Sequence, residues 1–229
     1  MIISHKFETV FVKTRKTAGT SIEFGLAAVC GPDDVITQVP TEEEARLAFA
    51  GRSKQNDDVT WRTLTPKWAA TWLLYRRRPR LVREHSPAVR VRKVFGEQLW
   101  VDYFTWTVER NPWDKAVSRY FWEASRGAVP TFSEYLRSAP RNMLSCFDLY
   151  SHQGEIIVDR VLRFERLSEE LPEVWARLGV HPPALPRMKG GHRPEDARDY
   201  RTMYSDADAE FIAEVCAREL AAFGYRFDP

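Results

Sequence analysis

The residue types best suited to chemistry are concentrated in Thr14-Arg15-Lys16-Thr17-Ala18-Gly19-Thr20-Ser21. Lys16 supplies a mobile cation, Thr20 and Ser21 supply hydroxyl donors, and Gly19 lets backbone approach a tetrahedral anion closely. A second group runs from Arg110 to Ser118, eight positions on. A third is His85, set in a run holding Arg76, Arg77, Arg78, Arg80, Arg83, Arg90, Arg92 and Lys93 against one acid, Glu84. The first stretch is not a Walker A loop, which requires G-x-x-x-x-G-K-[ST]. Here Lys16 precedes the glycine by three positions.

The elements around these residues position them. Residues 7–13 are apolar and β-branched and predict a strand, and 22–29 predict a helix ending at Gly31. A strand, a turn and a helix N-terminus make an anion trap, because the first helical N–H groups lack intrahelical partners and the dipole favours negative charge there. Residues 103–109 alternate as a strand, Arg110-Asn111-Pro112 breaks it, and 113–125 predict a helix with Val117, Tyr120, Phe121 and Ala124 on one face. Arg110 at a strand end and Ser118 two helical turns in could converge on one phosphate. His85 precedes Ser86-Pro87, which read as N-cap and first residue of a helix ending near Gly96. It therefore sits on a turn. Its arginine-rich setting is expected to lower its pKa and keep it neutral, as a general base requires. The plainer role is a histidine that only bonds the backbone. Glu84 is the fallback base, His152 and His192 are less suited, and His5 and His181 read as surface residues.

The order Lys16-Thr17-Ala18-Gly19-Thr20-Ser21 resembles the 5′-phosphosulfate loop of sulfotransferases that use 3′-phosphoadenosine 5′-phosphosulfate (PAPS). Arg110-Asn111-Pro112-Trp113-Asp114-Lys115-Ala116-Val117-Ser118-Arg119-Tyr120 resembles their 3′-phosphate motif, roughly R-N-P-x-x-R-x-x-S, with Lys115 where an arginine is usual. Val161-Leu162-Arg163-Phe164-Glu165 resembles a segment of the carbohydrate-type group, related to heparan and chondroitin O-sulfotransferases. Phe223-Gly224-Tyr225-Arg226-Phe227 resembles its C-terminus. Arg187-Met188-Lys189-Gly190-Gly191-His192-Arg193 loosely resembles the late basic loop that closes over the 3′-phosphate. The resemblance covers most of the chain, thinly between 31 and 80.

That resemblance implies an α/β fold with a central, mostly parallel sheet flanked by helices, like P-loop nucleotide kinases, in a single domain over 1–229. Strands 7–13 and 103–109 would be neighbours, with the nucleotide at their C-terminal edge. It implies PAPS as donor, no metal, and transfer of the sulfuryl group to a hydroxyl of a saccharide, glycoconjugate or small natural product. Arg15, Lys16, Thr17, Ala18, Gly19, Thr20 and Ser21 would hold the 5′-phosphosulfate, with Lys16 stabilising the leaving oxygen. Arg110 and Ser118, with Lys189 and Gly190, would hold the 3′-phosphate, and His85 would be the base.

Bulk properties bound the alternatives. The 229 residues are 44% apolar and 29% charged with net charge +2, ordinary values for a globular chain and unlike a nucleic-acid coat. No N-terminal signal pattern appears, and the apolar run at 68–75 is too short to span a bilayer. Cys30, Cys146 and Cys216 form no zinc spacing or disulfide framework and read as reduced thiols. A cytoplasmic protein with neither nucleic-acid nor membrane partner is expected. Two rivals stand beside it. A P-loop-type kinase would want a Walker A order and a carboxylate for Mg²⁺. A nucleic-acid module would rest on the 76–93 run, which otherwise reads as a solvated face or an electropositive mouth. Trp61, Trp68 and Trp72 read as core or groove wall, with an aromatic lining for the acceptor as the alternative. A capping box at Thr41 predicts a helix over 42–50 and another at Thr131 a helix to about 138. Helices over 168–178 and 206–223 complete the chain.

Overall fold

The computed structural model describes residues 1–38, 54–58, 66–75, 80–181 and 193–227. The helix expected over 42–50, Trp61 and the side chain of Trp68, Arg76 to Arg78, Lys189, Gly190 and His192 lie outside the described residues.

The strands are β1 (Ile2–Ser4), β2 (Thr9–Phe11), β3 (Val35–Ile36), β4 (Phe104–Glu109), the pair β5 (Ser151–His152) and β6 (Glu155–Ile156), and β7 (Arg160–Arg163). Five of them form one sheet in the order β3-β1-β2-β4-β7. The fold is α/β and the sheet is mixed. β2, β4 and β7 run parallel, with Phe11 opposite Trp106 and Trp106 opposite Arg160. β1 pairs antiparallel with both β2 and β3. The antiparallel step follows from chain length: residues 5–8 allow only a tight reversal between β1 and β2, whereas a parallel crossover needs a dozen residues or more. Glu8, at φ 47, completes that reversal. The two strands expected to be neighbours, β2 and β4, are. Pairing runs past the end of β2, where Val12 N–H donates to the Trp106 carbonyl at 2.9 Å and Thr107 Oγ1 donates to the Val12 carbonyl at 2.6 Å.

Ten helices are used below: α1 (Gly19–Val29), α2 (Pro66–Tyr75), α3 (Ala88–Phe95), α4 (Glu97–Asp102), α5 (Pro112–Ala124), α6 (Phe132–Ser138), α7 (Arg141–Leu144), α8 (Leu167–Leu178), α9 (Asp206–Val215) and α10 (Ala217–Phe223). Strand alternation sends Phe11, Trp106 and Leu162 to one face, where Ile22 and Leu26 of α1 and Leu171 and Val174 of α8 cover them. Val10 and Val12 face the other side, against Val91, Trp100, Phe147 and Tyr150. A third core joins Trp113 and Val117 of α5 to Leu136 and Ile212. Local signals set the helix ends: Thr131 forms a reciprocal capping box with Glu134, Ser205 caps α9, and Gly179 and Gly224 close α8 and α10 in the left-handed region. The helix expected over 206–223 is broken at Cys216, which leaves helical geometry at φ −108 and ψ 23. The break reorients the last turns and buries Glu219.

Candidate functional site

The first junction is a loop folded onto itself. Thr14 Oγ1 donates to the Val108 carbonyl and lies 2.8 Å from Thr17 Oγ1. Both hydroxyls are buried and shape the loop from inside. Lys16 and Ala18 both adopt φ 60. Left-handed geometry costs a non-glycine residue about 1–2 kcal/mol, and such turns gather successive N–H groups around one point. Ala18 is the N-cap of α1, with no side-chain cap and no acid in the first turn. The first intrahelical bond runs from Ile22 N–H to the Ala18 carbonyl at 3.1 Å. The N–H groups of Gly19, Thr20 and Ser21 precede it. Thr20 is buried and Ser21 half-buried. Gly19 is needed for a reason the sequence did not reveal: a Cβ there would stand 2.7 Å from Lys13 Cγ. Arg15 is half-buried and donates through Nη1 to the Asn142 carbonyl at 3.2 Å.

At the second junction, Asn111 Oδ1 accepts from the Trp113 and Asp114 N–H groups at 3.0 and 3.3 Å, and Pro112 takes the first helical position. This explains the Asn-Pro pair physically. Arg110 is half-buried, and desolvation lowers its pKa. Its Nη1 donates to the Lys16 carbonyl at 3.0 Å, which joins the two junctions directly. Its Nε and Nη2 meet Asp114 Oδ2 at 2.7 and 2.6 Å, and its guanidinium lies 4.1 Å over the Phe164 ring. Asp114 Oδ1 receives Arg193 Nη1 at 2.5 Å. Arg193 Nη2 is buried with no hydrogen-bond partner among the described residues. A buried donor left unpaired costs about 1–3 kcal/mol, so this one fits a site built for an anion. Glu165 Oε1 accepts the Asn111 N–H at 2.6 Å and Glu165 Oε2 accepts Tyr225 OH at 3.1 Å. The Arg-Phe-Glu segment and the C-terminal tyrosine therefore both converge on the Arg110 turn. Ser118 is half-buried two turns further along α5.

Lys115, which matched the motif's second cation, is placed otherwise. It is 1% exposed, with Nζ 2.8 Å from Glu109 Oε1 and 3.8 Å from Glu219 Oε1. Tyr150 OH donates to the other Glu109 oxygen at 2.8 Å. Two carboxylates raise the Lys115 pKa against its burial, and its charge serves the core.

His85 Nδ1 lies 2.9 Å from the Lys13 carbonyl. A carbonyl only accepts, so Nδ1 carries the proton and Nε2 the lone pair. Burial is the main reason the pKa falls to about 3; the Lys13 ammonium pushes the same way and Glu84 opposes. The shift favours the neutral ring, but burial leads it rather than the arginine run, and among the described residues Arg15 adds to it after Lys13. Burial disfavours the Glu84 charge, yet the Lys13 ammonium first and the His85 ring next outweigh that and hold its pKa at about 2, so it stays ionised on Lys13. His152 and His181 are exposed, and His5 bonds Tyr103 OH at 2.8 Å.

Among the described residues, three cations lie around the Trp122 ring, one of them, Arg119, paired with Glu123 at 2.6 Å. Lys16 Nζ lies 5.5 Å from the Trp122 ring centroid, with the Arg119 and Arg126 guanidinium carbons at 5.5 and 4.6 Å. Lys13, Asp114, Trp122 and Arg193 were not singled out from sequence. Signals existed for two: Lys13 is a charge inside an apolar strand run, and Asp114 stands four residues after Arg110 at a helix start. Among the described residues no cluster of three or more His, Cys, Asp or Glu has metal-binding geometry, and no helix is long and apolar enough to cross a membrane.

No family model matches the chain. An uncharacterized protein of Archaeoglobus fulgidus is 29% identical over 99 residues, 41% of this chain and 82% of that protein. Among solved structures, the crystal structure of a sulfotransferase from Alicyclobacillus acidocaldarius aligns over 96% of this chain and 87% of its own, with 16% identity and a TM-score of 0.32.

Proposed function

We propose that the chain is a PAPS-dependent sulfotransferase of the carbohydrate type, acting as a single domain on a hydroxyl acceptor. One contact carries this proposal: Arg110 Nη1 on the Lys16 carbonyl at 3.0 Å. It joins the two junctions that resemble the 5′- and 3′-phosphate motifs, which supports one doubly phosphorylated nucleotide bridging them. The convergence of Phe164, Glu165 and Tyr225 on Arg110 and Asn111 supports the carbohydrate-type assignment, since those residues carry the resemblance.

In this reading the donor brings an activated sulfuryl group bonded to its 5′-phosphate. The acceptor oxygen forms a bond to sulfur as the sulfur–oxygen bond to that phosphate breaks. The His85 Nε2 lone pair takes the hydroxyl proton. Lys16 and the N–H groups at the start of α1 stabilise charge on the departing phosphate. Arg110, Ser118 and Arg193 Nη2, which has no partner among the described residues, would face the 3′-phosphate. The acceptor hydroxyl belongs to a saccharide, glycoconjugate or small natural product in the cytoplasm.

Thermal stabilisation by adenosine 3′,5′-bisphosphate, ATP–Mg²⁺ and an oligonucleotide tests the proposal. Preference for the bisphosphate is expected. Preference for ATP–Mg²⁺ would point to a kinase, and preference for the oligonucleotide to a nucleic-acid module; either refutes it. A labelled-donor screen over hydroxyl acceptors then identifies the substrate.

A further inference from the structure

Lys13 joins three parts of the fold: the end of β2, helix α1 and the turn of Glu84 and His85. It follows the end of β2 and its side chain is 3% exposed. Nζ donates to Glu23 Oε2 of α1 at 2.6 Å and to Glu84 Oε1. Its Cγ fills the space a side chain at Gly19 would need. Its carbonyl receives His85 Nδ1 at 2.9 Å. A buried ion pair is poor value as a stabiliser, since well-packed apolar residues of similar volume do as well or better. A lysine in this position calls for another purpose.

We propose that Lys13 is a positioning residue that locks the turn carrying His85 to the anion loop and keeps the Glu84 carboxylate from capturing the His85 ring. The functional meaning rests on His85 as the base. Glu84 Oε1 stands 3.8 Å from His85 Nε2. Among the described residues, Glu84, Lys13 and Arg15 act most on the ring, and the Met1 α-ammonium, bonded to Glu23, acts on Glu84. With the Lys13 ammonium on Glu84, that carboxylate is satisfied and Nε2 keeps its lone pair. Without the ammonium, Glu84 is left with the adjacent imidazole and with the buried Met1 α-ammonium, which already bonds Glu23. Nε2 then takes a proton, bonds the carboxylate and can no longer accept one from substrate.

Histidine ring resonances of the full chain, followed by NMR against pH, test this, with His85→Gln assigning the signal. Wild type and Lys13→Arg, which keeps the charge, are expected to show His85 neutral from pH 5 to 8. Lys13→Met is expected to raise its pKa from about 3 to above 7, a gain of about 10,000-fold in proton affinity. Adding Glu84→Gln to Lys13→Met is expected to restore the neutral ring. Should Lys13→Met fail to fold, Lys13→Met/Glu23→Gln removes the second carboxylate that Lys13 serves and leaves Glu84 ionised, with the same rise expected. An unshifted His85 in the folded Met variant, or a rise that Glu84→Gln does not reverse, overturns the proposal. The titration needs neither donor nor acceptor, so its failure leaves nucleotide binding untouched. Loss of the bisphosphate preference would refute the sulfotransferase reading and leave Lys13's hold on His85 standing.

Discussion

Arg110 donates from Nη1 to the main-chain carbonyl of Lys16 at 3.0 Å, although 94 positions separate them. The contact fixes one strand–helix junction against the other. It also makes Arg110 part of the loop's scaffold as well as a candidate ligand for phosphate.

Arg110→Ala separates the two roles. Loss of a charge-assisted donor to the 3′-phosphate is expected to weaken adenosine 3′,5′-bisphosphate by about 1.5–3 kcal/mol. Adenosine 5′-phosphate, lacking that phosphate, should lose much less. Calorimetric titration of both nucleotides checks this, and equal losses would leave Arg110 with a scaffold role alone.

Lys16 holds a left-handed conformation at φ 60 that glycine adopts without strain. Lys16→Gly is therefore expected to be at least as stable as wild type in urea, while sulfuryl transfer falls ~100–1000-fold, the usual loss for one donor to a developing charge. A stable variant with full turnover would remove Lys16 from the chemistry.

Gly19→Ala places a methyl 2.7 Å from Lys13 Cγ. Lys13 cannot swing aside cheaply, since Glu23 and Glu84 hold its far end. A loss of about 1–3 kcal/mol is expected from this overpacking, measured by denaturant unfolding.

Lys115→Met leaves Glu109 buried beside Tyr150 without its cation. Stability should drop by about 3–5 kcal/mol. Because Lys115 is in the core, bisphosphate affinity of the folded fraction should stay near the wild-type value.

Acid should unfold the protein partly through His85 and Glu84. The folded His85 pKa of about 3 lies below its ordinary 6.5, so the unfolded chain takes the proton first as pH falls. This contribution is complete above about 6.5 and drains away towards 3. Glu84 acts in the same direction: its stabilisation is present above its ordinary 4.5 and is lost as pH falls towards about 2. Between pH 7.5 and 5, His85→Gln should lose less stability than wild type in chemical denaturation.

Much of the local structure around the candidate site could be read along the chain because it is written in local geometry. The turn after β2, the Asn111 cap with Pro112, the Thr131 capping box and the glycines ending α8 and α10 each depend on residues within a few positions. The pairing of β2 with β4 is the one the family resemblance implied. Partner choice across the fold could not be read that way. β1 was missed because its role depends on pairing with β2 and β3, and the Cys216 break depends on where Glu219 must be buried. The same holds for Lys115 turning into the core, Asp114 gripping both Arg110 and Arg193, and Lys13 reaching Glu23 and Glu84. Sequence determines which groups can cap, turn or carry charge, since those preferences act over one or two turns of chain. Only the folded chain decides which charges lose water together, and that loss sets whether a lysine meets a ligand or the interior.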